Sequence, residues 1–331
     1  MRKFVNNPND FVPEMMAGVA AANPNLLEHQ PEFQLIKRKD RPVAGKVSVV
    51  QGSGSGHEPA HAMAVGPGML DGAVQGAVFA APPVDACYEC IKQLASDAGV
   101  LVLINNYQGD RMNWDMAVEM AQAEGVNVKS FIIDDDVAVK DSSYTIGRRG
   151  VAGNFFVIKA CGAAADLGKS LDEVLEVAKK VNGQVRTMGV ALSSCIPPVK
   201  GTPIFDIAVD EMEVGVGIHG EPGRRRDKTK PANEILDEMF EAVSGDGPFS
   251  KGDRVAVMVN GLGGTPISEL YVLYNRAARR CEEAGYTIVR NYVGEYCTSL
   301  EMAGASLTLL KLDDELEKML DAPAEVAARI F

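Results

Sequence analysis

Short apolar stretches recur along the chain, separated by longer amphipathic ones. KVSVVQ, VLVLINNY, VKSFIID, TMGVALS, RVAVMVNG and TIVRNYVG read as strands, several of them apolar throughout, the pattern of a strand buried on both faces. Between them DACYECIKQLASDA, NWDMAVEMAQAEG, SLDEVLEVAKKVNG, KPANEILDEMFEAV and SELYVLYNRAARRCEEAG read as helices, and several end in the glycine that commonly closes one. This βαβα alternation predicts an α/β protein with mainly parallel sheets. VNGQVRT closes one long helix and opens a new strand. Two domains are therefore expected, residues 1–184 and 185–331, each with a mainly parallel or mixed sheet flanked by helices.

Composition narrows the class. Hydrophobic residues make up 46% of 331, enough for a sizeable core. Acidic residues outnumber basic ones by 45 to 33, a net charge of −12, and basic residues gather only in short runs such as Arg224 to Arg226. Nucleic acid and anionic membrane surfaces are poor partners for such a chain. MRK followed by MMAGVAAA superficially resembles a signal sequence, but Asn6, Asn7, Asp10, Pro13 and Glu14 interrupt it. Residues 15–22 read instead as part of a short amphipathic helix. No apolar run reaches the roughly 18 residues of a membrane span, so a cytoplasmic protein is expected. Of six cysteines only Cys87 and Cys90 have metal-like spacing, and no second ligand pair answers them; buried free thiols are expected.

Two of the four histidines lie in glycine-lined turns beside Glu and Pro: His57 in GSGSGHEP and His219 in VGVGIHGEPGRRR. The first turn follows a strand and precedes an expected helix, with Pro59 suited to its first turn. It fails the dinucleotide fingerprint GxGxxG, because counting from Gly52 the third glycine position is His57, and no P-loop occurs anywhere. It is either a ligand loop or a tight connection. NNYQGD places Asp110 beyond another strand, where it could act as a base in the same crevice or cap the next helix. Asp134, Asp135 and Asp136 read as a solvated loop with local ion pairs involving Lys140, Arg148 and Arg149. VNGLGGTPISEL suits a phosphate-binding turn or a tight connection equally. His219 has glycines that make room for a reactant against its ring, and Glu221 two positions on is a candidate orienting acceptor. His29 reads as a surface residue and His61 as part of a helix face.

Together GSGSGHEPAH, NNYQGD, DDDVAVKDS, GRRGVAG, EVGVGIHGEPG and GEYCTSLEMAG resemble the substrate-binding subunit of dihydroxyacetone kinase, from about residue 10 to about residue 323. The resemblance implies two α/β domains, a homodimer, and a hemiaminal between His219 and the ketone carbonyl. It makes His57 and Asp110 the other catalytic candidates, with Gly54, Ser55, Gly56, Asn105 and Tyr107 as substrate-binding candidates. Asn105 stands where many relatives have a substrate-contacting lysine, and an amide brings no charge. No cofactor is implied for this chain. Mg²⁺ and ADP or ATP are expected on a separate nucleotide-binding helical kinase subunit, DhaL-like, since the chain ends in DAPAEVAARIF without a further domain. The phosphoryl donor would be phosphoenolpyruvate by way of bound ADP, or ATP directly. Two alternatives accompany this reading: a non-catalytic dihydroxyacetone-sensing co-activator, and a kinase subunit for another small ketose such as erythrulose.

Overall fold

The structure, a computed structural model, describes residues 3–140 and 147–328. Asp141 and Ser142 of the DDDVAVKDS motif lie outside them.

The first part runs α1 (Phe11–Ala22), β1 (Leu27–Gln30), β2 (Leu35–Arg38), β3 (Ser48–Ser55), β4 (Gly72–Val78), α2 (Val84–Leu94), β5 (Val100–Asn105), α3 (Gln108–Ala123), β6 (Val128–Ile133), α4 (Asn154–Asp166) and α5 (Leu171–Gln184). The second runs β7 (Val185–Ala191), β8 (Glu211–Val214), β9 (Arg225–Lys228), α6 (Ala232–Asp246), β10 (Arg254–Gly261), α7 (Ile267–Ala284), β11 (Thr287–Gly294), β12 (Gly304–Leu312) and α8 (Asp314–Asp321). The protein is α/β, with two six-stranded sheets ordered β1-β2-β4-β3-β5-β6 and β11-β10-β12-β7-β8-β9.

In the first sheet β4, β3, β5 and β6 are parallel, as the alternation predicts, with β1 and β2 added antiparallel at one edge. The second sheet is mixed, the other of the two arrangements expected. Only β10 and β11 are parallel there; the other four pairings are antiparallel. β12, whose segment GASLTLLKL was not read as a strand, inserts antiparallel between β10 and β7, and β8 and β9, also unread, add two more antiparallel pairings beyond β7.

Side chains alternate across both sheets. Val50, Val74, Val102 and Ile104 pack with Trp114 on α3 and Ile91 on α2. Val49, Ala73, Leu101 and Leu103 face the other way, into a cluster with α4 and α5 that continues to Ala256, Met258 and Leu310 of the second sheet. Val255, Val257, Leu307 and Leu309 then pack on α6 and α7 through Leu236, Phe240 and Leu270. Helix α4 thus lies between the sheets, buried from Asn154 to Ala165, with Phe155 edge-on to Tyr292 of β11 at 5.5 Å. Local signals set the helix ends: Ser170 and Glu173 form a capping box at α5, and Gly285 closes α7 at φ 76°.

Three expectations are corrected. The aspartate run is not a solvated loop: Asp135 and Asp136 are buried, Asp136 pairs with the buried Arg149 at 2.6 Å, and Asp135 accepts from the amides of Val151 and Gly153. GHEPAH does not open an α-helix; it forms turns and a single 3-10 turn at Ala62–Ala64, so His61 is a core residue, fully buried, with Nδ1 donating to Gln51 Oε1 at 2.8 Å. His29 is half-buried on β1, with Nε2 enclosed. All six cysteines are buried and free. Among the described residues no helix is long and apolar enough to cross a membrane.

Candidate functional site

A cleft of about 390 Å³ opens beyond the carboxyl ends of β3 and β5, lined by Ser53, Phe79, Tyr107, Asp110 and His219 among others. It is where an open parallel sheet places its ligands. A second groove, of about 190 Å³ between β7, α6 and α7, is lined mainly by apolar residues such as Val190, Ile235, Met239 and Leu273 and holds none of the candidates.

His219 stands at the tip of the loop joining β8 to β9. The loop folds tightly, with Gly217 N donating to Glu221 O at 3.1 Å and Gly220 N to Gly217 O at 3.0 Å. Only glycine fits at 217, since a Cβ there would fall 1.9 Å from Glu221 Oε2. The buried Glu221 carboxylate accepts from His219 Nδ1 at 2.9 Å and from the His219 amide at 3.0 Å. Burial alone would raise the Glu221 carboxyl, but the His219 charge and hydrogen bond, with nearby Arg149, outweigh it and hold the group below its ordinary value.

His57 follows the glycines after β3 and is fully buried. The GEYCTSLEMAG segment pins this loop: Leu300 N donates to Gly56 O at 2.7 Å, and His57 Nδ1 donates to Thr298 O at 2.8 Å. Gly56, at φ 100°, leaves space for Phe79, whose ring stacks on His57 at 5.2 Å and which itself adopts φ 59°. A Cβ on Gly56 would lie 2.7 Å from that ring.

The two imidazoles face each other, Nε2 to Nε2, at 3.1 Å. A carbonyl oxygen can only accept, and so can an ionised carboxylate, so both Nδ1 atoms carry hydrogens. A hydrogen bond across the Nε2 pair therefore needs one further proton shared between the rings. Burial, and then the His219 charge, push His57 well below the ordinary imidazole range, so that ring stays neutral.

Asp110 lies in the first turn of α3 and does not cap it: the cap position is Tyr107, which makes no side-chain cap bond. Its carboxyl turns to β3 instead, where Ser53 Oγ donates to Oδ2 at 2.7 Å, and Oδ1 has no partner. Burial raises Asp110 to about 7, against the lowering effect of Ser53. Tyr107 packs edge-on against His219 at 4.4 Å, with its buried hydroxyl unpartnered.

The structure thus brings His57, Tyr107, Asp110 and His219 together, and not every other candidate with them. Gly54 lies against the backbone of Phe79 and Ala80. Ser55 spends its hydroxyl on Gly76 O at 2.7 Å, past a register shift between Gly54 and Ser55. Asn105, fully buried, is not part of the cleft lining; its Oδ1 accepts from Gln51 Nε2 at 3.4 Å, within a cluster that includes His61 and Asn154. Ser53 and Phe79 were missed. Strand alternation around His57 could have raised Ser53, whereas nothing in the sequence marks Phe79. Among the described residues no group of three His, Cys, Asp or Glu side chains could hold a metal ion.

Fold and cleft define the class: a two-sheet α/β protein whose site joins paired imidazoles to a buried carboxyl. Residues 17–328 match the Dak1 domain model, and the chain belongs to that family. It is 46% identical over 352 residues to the PEP-dependent dihydroxyacetone kinase, dihydroxyacetone-binding subunit DhaK of Escherichia coli K12, covering 99% of each chain. It is 41% identical to the D-erythrulose kinase of Mycolicibacterium smegmatis, covering 99% of this chain and 56% of that one. Among solved structures, the dihydroxyacetone kinase operon co-activator Dha-DhaQ superposes with a TM-score of 0.91 at 33% identity, over 96% of this chain and 98% of the other.

Proposed function

We propose that this chain is the dihydroxyacetone-binding subunit of a dihydroxyacetone kinase, holding the ketone on His219 while a nucleotide on a separate subunit phosphorylates it. The observation that carries the reading is the convergence of His219 and Asp110 on one cleft, with the buried His57 3.1 Å from His219 and His219 fixed by Glu221. Glu221 keeps the His219 hydrogen on Nδ1, so Nε2 is the nitrogen that adds to the carbonyl carbon. The C=O π pair moves to oxygen, which takes a proton from solvent, and the positive charge left on the ring is balanced by the Glu221 carboxylate at Nδ1. His57 then hydrogen-bonds that group, and Asp110 takes the proton of a terminal hydroxyl as it attacks phosphorus. A three-carbon sugar offers little surface to bury, so a reversible bond provides affinity that contacts alone cannot. It also excludes glycerol, which has no carbonyl.

The phosphoryl group comes from ADP-bound phosphate or ATP, with Mg²⁺, on a helical partner; a homodimer in the cytoplasm is the working form. The test is reconstitution with a competent nucleotide subunit. Dihydroxyacetone phosphate should form with wild-type chain and not with His219→Ala, and no product from wild type refutes the proposal. The close superposition with a co-activator favours a sensor as second reading, since fold alone does not separate the two. A sensor has no use for Asp110, and recovery of a transcription regulator in place of a nucleotide subunit would favour it. Erythrulose belongs in the same substrate panel.

A further inference from the structure

Strand β3 brings to the cleft one polar side chain that the glycine pattern hides. Ser53 is 2% exposed and lines the cleft, and its hydroxyl donates to Asp110 Oδ2 at 2.7 Å. Among the described residues Asp110 makes no other side-chain hydrogen bond: Oδ1 is buried without a partner, and the carboxyl is not spent on the amides at the start of α3. Ser55, two residues on, is committed to Gly76 O, so the two serines are not interchangeable. A carboxylate on a helix's first turn has freedom about χ1 and χ2, and a single charge-assisted hydrogen bond from a rigid strand fixes both its rotamer and which oxygen is left over.

We infer that Ser53 is a positioning residue for phosphoryl transfer: its hydroxyl holds Oδ2 of Asp110 and leaves Oδ1 as the oxygen that receives the proton of the substrate hydroxyl. This rests on the role proposed above for Asp110. A hydrogen bond to the ionised form favours that form, so Ser53 also keeps the base available near neutral pH against the effect of its burial.

The test compares wild type, Ser53→Ala and Ser53→Thr, each with the nucleotide subunit, in initial rate from pH 5.5 to 9 and in capture of carbonyl-labelled dihydroxyacetone by carbon-13 NMR. Capture should be equal in all three, because the Ser53 hydroxyl is committed to Asp110 and His219 is held by Glu221. The acidic limb of the rate profile should move up by about one pH unit in Ser53→Ala, given the worth of a hydrogen bond to a charged group. With Asp110 at about 7, its ionised fraction at pH 7 would fall from about a half to about a tenth, a loss of about fivefold that disappears towards pH 9. Ser53→Thr keeps the hydroxyl and should keep the wild-type limb. The inference is overturned if Ser53→Ala superimposes on wild type, if it falls by one factor at every pH, or if the threonine variant shifts as alanine does. A carboxyl carbon-13 titration of Asp110 in the isolated chain reads the same effect without the partner. It should move upward in Ser53→Ala even where wild type makes no product, which separates this inference from the kinase proposal.

Discussion

Glu221→Gln removes one charge and almost no volume, which makes it a direct test of how His219 becomes a nucleophile. The carboxylate accepts two hydrogen bonds from one residue, from Nδ1 at 2.9 Å and from the amide at 3.0 Å. A glutamine cannot accept both. If its oxygen faces Nδ1–H, its NH₂ is driven against the His219 amide. If its NH₂ faces Nδ1, the ring hydrogen must move to Nε2, and no lone pair is left to attack a carbonyl. Either way the loss is at least one hydrogen bond to a charged group, about 1.5–3 kcal/mol, or about 10-fold to 150-fold in capture of the ketone. The fold should survive, because Arg149 keeps Asp136 and donates to Gly215 O at 2.7 Å. Carbonyl-labelled dihydroxyacetone is titrated and the carbon-13 signal of the tetrahedral adduct measured, with His219→Ala as zero and a thermal melt to confirm folding. A folded glutamine variant that captures ketone within about twofold of wild type would refute the argument that Glu221 sets the tautomer.

Largely apolar strands and several amphipathic helices were legible in the sequence, but α4 was not. Helix α4 has buried side chains on every face, because it lies between two sheets, so it shows no amphipathic stripe to read. Strands β8, β9 and β12 went unread, and with them the particular antiparallel pairings of the second sheet. The burial of the aspartate run was missed because charge runs usually mark solvated faces; here Arg149, thirteen residues on and one of the ion-pair partners expected for the run, neutralises Asp136 inside the protein. At the site, the two histidines and Asp110 stood out because glycine-rich turns after strands are where chemistry is placed. Which neighbouring side chain enters the cleft depends instead on a register shift at Gly54 and on the backbone turn at Phe79, both products of tertiary packing. Asn105 shows the same limit: its place at the end of β5 was legible, its turn toward Gln51 was not.

Two further outcomes follow from the same geometry. Gly217→Ala would place a Cβ 1.9 Å from Glu221 Oε2 and 2.7 Å from Arg149 Nη1, both held in buried charged contacts that cannot yield. It should lower stability by about 1–3 kcal/mol and weaken ketone capture at least as much as Glu221→Gln, read by thermal melt and the same NMR titration. Asp110→Asn should abolish phosphoryl transfer yet stabilise the fold above neutral pH. Burial raises this carboxyl from 3.8 to about 7, so the folded chain binds the Asp110 proton more tightly than the unfolded chain does. Stability therefore falls as pH rises between those values and levels off above the upper one, a cost of about 4 kcal/mol for the fully ionised group. Asparagine is neutral at every pH and still accepts from Ser53, so its melting temperature should match wild type near pH 4 and exceed it at pH 8. A gain of the same size at both pH values would show that the substitution acts through packing and that Asp110 carries no burial cost. A base that must ionise to work, and destabilises its own fold when it does, is held in place by the surrounding structure. Among the described residues, the one side-chain hydrogen bond it accepts is from Ser53.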